Sequence, residues 1–188
     1  MNKAGENFRS YGDPSYDIAI LHGGPGAPGE VAPVAHELSP DRSVLEPFQT
    51  ADSIDGQVRE LQQILTKTGS PPITVIGFSW GAWLGFILAA KNNQLIDKLI
   101  LVGSAPFEED YARDILETRL NRLSIQDKEE VTSLLQELND SVPATPETLA
   151  RIGKIFRKAD SYDPILEEED EVIEYQPEIY RKVWAEAE

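Results

Sequence analysis

Ile73-Thr74-Val75-Ile76-Gly77-Phe78-Ser79-Trp80-Gly81 decides the fold of this chain. Its first four residues are β-branched throughout, as a buried strand requires, and the run breaks at a serine with glycines two residues to either side. A strongly apolar stretch follows directly, to about Asn92, and reads as a helix. Strand, tight turn and helix in that order place a serine where a strained turn can hold its hydroxyl clear of the backbone. The competing reading is a Gly-rich turn in which Ser79 is an ordinary helix cap.

Outward from this stretch the same grammar repeats. Upstream, Tyr16-Asp17-Ile18-Ala19-Ile20-Leu21 is an apolar strand that stops at His22-Gly23-Gly24-Pro25-Gly26. A helix is expected from about Gly29 to Leu38 and a short strand near Ser43 to Leu45. An amphipathic helix runs from Ser53, with Ile54, Val58, Leu61 and Leu65 on one face, and Gly69 with Pro71-Pro72 is expected to end it. Downstream, Lys98-Leu99-Ile100-Leu101-Val102 is the next buried strand. Strands that are continuous apolar runs alternating with helices indicate βαβ units and a parallel sheet covered on both faces. Residues 1–15 are polar and suit a loose lead-in.

Beyond Pro106 the β-branched runs cease and apolar residues fall three and four apart, in a stripe of Tyr111, Ile115, Leu116, Leu120 and Leu123 and another of Val131, Leu134, Leu135 and Leu138. Thr145-Pro146-Glu147 is a helix start, and Ile179, Tyr180, Val183 and Trp184 suggest a last helix. The expected organisation is an α/β core over residues 1–105 and a helical cap region over 106–188. The acidic run Glu167 to Glu171 reads as a solvated face.

Composition narrows the function classes. The 188 residues carry 17 Lys+Arg against 33 Asp+Glu, a formal charge of −16. Phosphate backbones reward clustered cations, so nucleic acid and anionic membrane are disfavoured as partners. With no cysteine there is no disulfide framework, thiol nucleophile or Cys-ligated zinc. No metal-ligand cluster and no cofactor fingerprint such as a P-loop appears, so no metal or cofactor is expected. The apolar run Ala82 to Ala90 is too short to span a bilayer, and a soluble, cytoplasmic protein is expected.

The two loops are chemically complementary. Attack by Ser79 on a carbonyl creates an oxyanion, which needs fixed donors, usually one N–H following the nucleophile and one from an earlier loop. Trp80 supplies the first. Pro25 has no N–H, so Gly24 is the candidate for the second, with His22, Gly23, Pro25 and Gly26 organising the loop and Gly77 and Gly81 permitting the elbow. Together these motifs resemble the α/β-hydrolase superfamily, and His-Gly-Gly-Pro-Gly resembles its proline iminopeptidase-like branch. The resemblance spans roughly Tyr16 to Ser104 and continues loosely into the helical part, which looks like that superfamily's cap. It implies a parallel-sheet α/β-hydrolase core and a serine hydrolase acting on an ester, amide or similar bond of a small molecule or short peptide. That branch usually carries Asp-Gln-Arg-Gly after the next strand, where this chain has Glu46-Pro47-Phe48-Gln49-Thr50, so proline specificity is not carried over.

In that superfamily the chain order is Ser, acid, His, and no histidine follows Ser79. His22 lies in the oxyanion loop and His36 in the helix after it. An acid from Glu108, Glu109 or Asp110 is conceivable, but an acid alone supplies no base. A truncated or split hydrolase is therefore expected, inactive or weakly active alone. The alternatives are a non-catalytic small-ligand-binding protein that keeps the pocket and, less well supported, a helical interaction module. If the sheet ends at Leu99 to Val102, that strand is an exposed edge, so a dimer or complementing chain is expected there, or poor solubility.

Overall fold

The computed structural model describes residues 7–139, 145–163 and 173–187; the acidic run at 167–171 lies outside them. Five strands form one sheet in the order β1-β3-β2-β4-β5. These are β1 (Phe8–Tyr11), β2 (Tyr16–Leu21), β3 (Val44–Pro47), β4 (Gly69–Phe78) and β5 (Ile96–Val102). Neighbours pair in parallel except β1, which runs antiparallel along β3 with Phe8 opposite Pro47 and Tyr11 opposite Val44.

Alternation along β2 explains how both faces are covered. Ala19 and Leu21 join a core with Leu61, Leu65, Leu84 and Leu88, from helices α2 (Ile54–Lys67) and α3 (Trp80–Lys91). Ile20, one residue out of phase, packs instead with Val31, Val44 and Ala35 of α1 (Ala32–Leu38), and Ile18 is partly buried against that cluster. Ser53 caps α2, its Oγ accepting from the Gly56 N–H at 3.2 Å.

Two local expectations are corrected. The lead-in holds β1, whose Phe8 and Tyr11 pack on opposite faces against the two core clusters, and whose four residues become a strand by pairing with β3. Pro71 and Pro72 do not break the chain between α2 and the strand but lie inside β4, where its register against β2 slips between Tyr16 and Ile18. Both prolines are exposed, and the irregularity accommodates residues that have no N–H to give the ladder.

The chain divides into two units, residues 1–105 with 171–188, and residues 106–170. The second is therefore narrower than the 106–188 expected, because α8 (Pro177–Ala187) packs with the first. The second unit holds α4 (Glu109–Ala112), α5 (Ile115–Arg122), α6 (Ile125–Asn139) and α7 (Pro146–Asp160). Val131, Leu149, Ile152 and Ile155 are buried in it, and Arg119 makes a two-pronged ion pair with Asp160 while lying over the Phe156 ring. Tyr111 and Leu116, placed on one helical stripe by their spacing, are exposed. No helix among the described residues is long and apolar enough to cross a membrane.

β5 is the sheet's edge, and Ile100, Leu101 and Val102 are 45%, 42% and 45% exposed. Leu61, by contrast, sits at the centre of the α2 face. Leu61→Ala is expected to cost about 2–5 kcal/mol through lost burial and the cavity left behind, read by chemical denaturation followed by circular dichroism.

Candidate active site

The backbone at the end of β4 has almost no room for side chains. A Cβ on Gly77 would lie 2.3 Å from the Gly81 carbonyl oxygen, and one on Gly81 would lie 2.4 Å from the Leu21 carbonyl oxygen and 2.7 Å from that of His22. Glycine at both positions lets α3 start directly against the ends of β2 and β4. Between them Ser79 adopts φ 52° and ψ −114°, a conformation that side chains rarely take, and it is half-buried. Its N–H donates to the Val102 carbonyl at 2.9 Å, which ties the turn to β5.

The loop after β2 lies against this turn. A Cβ on Gly23 would lie 3.2 Å from the Ser79 Cβ and 2.7 Å from a Glu30 carboxylate oxygen. The Gly23 N–H is itself taken by that carboxylate at 2.8 Å. Gly24 has φ 111°, which a glycine tolerates without strain, and Pro25 and Gly26 are buried. Glu46, fully buried in β3, accepts from the Gly29 N–H at 3.1 Å and from the Tyr11 hydroxyl at 2.6 Å, so it anchors the far side of the loop to the sheet. Burial and the Glu46 carboxylate hold the Tyr11 hydroxyl protonated far above its ordinary range.

His22 is fully buried, and its ring meets two backbone carbonyls, Nδ1 at 2.8 Å from Gly23 O and Nε2 at 2.8 Å from Phe48 O. Burial drives the ring toward its neutral form and the two carbonyls pull the other way; the net shift is downward. Because Gly23 C=O and Gly24 N–H belong to one planar peptide, a ring held on the carbonyl also sets the direction of that N–H. His36 is exposed on α1 and meets the Tyr11 ring edge to face at 4.7 Å. Asp110, one of the acids weighed from the sequence, belongs to the second unit and pairs with Arg113 at 2.8 Å. Among the described residues no group of three or more His, Cys, Asp or Glu is placed to hold a metal ion.

Sequence reasoning missed what α8 does. The segment 173–187 covers the oxyanion-loop candidate: Glu174 and Gln176 N–H groups donate to the Pro28 and Gly26 carbonyls at 3.0 and 2.8 Å, and the Trp184 indole donates to Gly24 O at 3.1 Å. Trp184 also meets Trp80 and Trp83 with ring centroids 5.6 and 5.9 Å apart. Lys182 binds Asp52 at 2.8 Å and Glu186 accepts from the Ile54 N–H, which fasten the helix to the start of α2. The helical spacing in 179–184 announced a helix, but nothing local names the loop it would cover.

A family model described as the alpha/beta hydrolase fold matches residues 39–127, just under half of the chain, and includes the Ser79 turn. Solved hydrolases superpose over most of the chain. The chain has the α/β-hydrolase fold. VinJ aligns with a TM-score of 0.57 at 17% identity, covering 80% of this chain and 55% of its own. A carboxylesterase of the ammonia-oxidizing thaumarchaeon Nitrososphaera gargenis aligns with a TM-score of 0.55 at 16% identity, and a hydrolase from Oleispira antarctica with 0.54 at 15%. Each covers 96% of this chain, which spans 66% and 68% of theirs. The chain thus spans between just over half and about two thirds of these α/β-hydrolase-fold proteins. A search of curated protein sequences returns no match.

Two outcomes follow from this geometry. Gly81→Ala, whose Cβ would meet backbone that cannot move independently, is expected to destabilise the chain by upward of about 4 kcal/mol, read by denaturant unfolding. His22, with its folded pKa below the ordinary 6.5, binds a proton less readily folded than unfolded. Its contribution is therefore complete above pH 6.5 and is lost as pH falls through the interval below it. Melting temperatures recorded from about pH 7 to 5 should fall with acidification, and His22→Asn should flatten that slope.

Proposed function

We propose that this chain carries the nucleophile half of a serine hydrolase acting on an ester, amide or similar bond. The observation that carries the proposal is the strained Ser79 between Gly77 and Gly81, with Gly23 of the preceding loop against its side chain. Ser79 attacks the substrate carbonyl, and the Trp80 and Gly24 N–H groups receive the oxyanion. Gly23 is not a donor, since Glu30 occupies its N–H. The His22-to-Gly26 loop supports the proline iminopeptidase-like branch of the fold without implying a prolyl substrate. Glu46, in the stretch that differs from that branch, is used structurally on Gly29 and Tyr11.

Deprotonating Ser79 needs a base, and the two histidines of residues 1–188 are placed otherwise, one between two carbonyls and one on an exposed helix face. The base and its acid are proposed to come from polypeptide outside residues 1–188, brought in along β5. Its apolar residues, exposed on an edge strand that is tied to Ser79 through Val102, support a strand added there. The same absence of a base favours a second reading, a small-ligand-binding protein that retains the pocket. No nucleic-acid or membrane partner and no cofactor is proposed.

Ester hydrolysis by the folded chain, and fluorophosphonate adducts read by intact mass, should be weak and should vanish in Ser79→Ala. About 10³- to 10⁴-fold rate over water persists in triad enzymes that have lost a member. A folded chain with no Ser79-dependent turnover or adduct, whose ligand affinity is unchanged by Ser79→Ala, would establish the binding protein instead. Association at β5 is checked by light scattering: Ile100→Lys should shift any assembly to monomer, and an unchanged assembly would exclude β5 as its interface.

A further inference from the structure

One fully buried polar side chain stands out on the apolar face of α2. Gln57 is 0% exposed between the core residues of that helix. Its Oε1 accepts from the Trp80 indole N–H at 2.8 Å, and its Nε2 donates to the Ala51 carbonyl at 2.9 Å and the Gln49 carbonyl at 3.3 Å. Gln49 takes φ 55°, is 2% exposed, and donates from its own Nε2 to the His22 carbonyl at 3.1 Å. The preceding carbonyl, of Phe48, meets the His22 ring, whose other nitrogen meets Gly23 O.

These contacts form one continuous chain. It runs from the His22 carbonyl, beside the Gly23-Gly24 peptide, through the Gln49 side chain and its carbonyl to the Gln57 amide, and ends at Trp80. The neutral His22 ring has one N–H and donates to either the Gly23 or the Phe48 carbonyl, not to both. The two ends of the chain lie beside the Gly24 peptide and at Trp80, the residues whose backbone N–H groups would form the oxyanion hole. We infer that Gln57 is a positioning residue that couples the two oxyanion donors, fixing Trp80 directly and Gly24 through the Gln49 turn and His22. The inference rests on the hydrolase reading for its catalytic meaning, whereas the hydrogen-bond chain stands apart from it. A buried amide is costly unless all its partners are met, and both ends of Gln57 are met, one by each loop. A Leu of similar size would fill the space and carry none of these three bonds. The leftward-turned Gln49 backbone would then lose one of the contacts that hold it.

The test is ¹H–¹⁵N NMR and ester-hydrolysis kinetics on the full chain, comparing wild type, Gln57→Leu and Gln57→Glu. In Gln57→Leu the Trp80 indole N–H should lose exchange protection by about tenfold or more, and the Gly24 amide resonance should move with it. Turnover dependent on Ser79 should fall about 10- to 100-fold in kcat with KM within about twofold, as expected when donors shift and substrate binding does not. Gln57→Glu keeps the acceptor for Trp80 but has no donor for Gln49 and Ala51 when ionised, and regains one when protonated. Its Gly24 displacement should therefore grow with pH, a signature that a merely space-filling role does not produce, and it serves if the Leu variant does not fold. An unmoved Gly24 amide, or a pH-independent one in Gln57→Glu, would overturn the coupling. Amides that move as expected in a chain without Ser79-dependent turnover would leave the coupling standing and overturn the hydrolase reading.

Discussion

The rest of the site depends on how closely α3 approaches the carboxyl ends of β2 and β4. Gly77 and Gly81 face backbone carbonyls at distances that no side chain could occupy. That approach forces Ser79 into its positive φ, brings the oxyanion-loop candidate against the serine, and lets the Ser79 N–H reach Val102 on β5. A strained residue persists only where its surroundings over-determine it. Here they do so from three sides: the strand end, the neighbouring loop and the edge strand.

The loop itself is held by polar groups rather than by packing. Glu30 takes Gly23, Glu46 takes Gly29, the His22 ring meets Gly23 O, and Trp184 reaches Gly24 O. Glycine-rich backbone gives no side chains to pack, so its conformation must be specified by hydrogen bonds to its N–H and C=O groups. Two of those groups come from carboxylates that are partly or fully buried, each satisfied by the loop it positions. Buried charges and amides left unmet would be destabilising, which makes the loop and its anchors a single unit.

β5 stands at the border of the sheet with one side unpaired among the described residues. Ile100, Leu101 and Val102 read as a strand covered on both faces, and their exposure at the border of the sheet is at odds with that composition. The solved structures that share the fold are longer, and this chain spans little more than half to two thirds of them. The serine turn and the sheet border meet at this edge, because Val102 is both an exposed apolar residue and the acceptor for the Ser79 N–H.

Much of this was legible locally. The βαβ alternation, the strand-turn-helix around Ser79 and the glycine loop after Leu21 are written in short-range periodicity and in glycines that allow close backbone approach or positive φ. Element boundaries were less legible: β1 owes its strand to pairing with β3, and Pro71-Pro72 sit within β4 because a register slip absorbs them. The exposure of Tyr111 and Leu116 likewise had no local signature, since a helical stripe shows a face without showing what it meets. By itself the sequence determined the sheet class, the serine turn and the absence of any histidine after it, because each depends on residue type and near-neighbour spacing. Only the tertiary structure decided that Gln57 joins Trp80 to the Gln49 turn, that His22 sits between two carbonyls, and that α8 closes over Gly24. Apart from the local contact of His22 with the Gly23 carbonyl, those contacts join residues from 8 to 160 positions apart, and a hydrogen bond between distant groups leaves no trace in the order of the residues that make it.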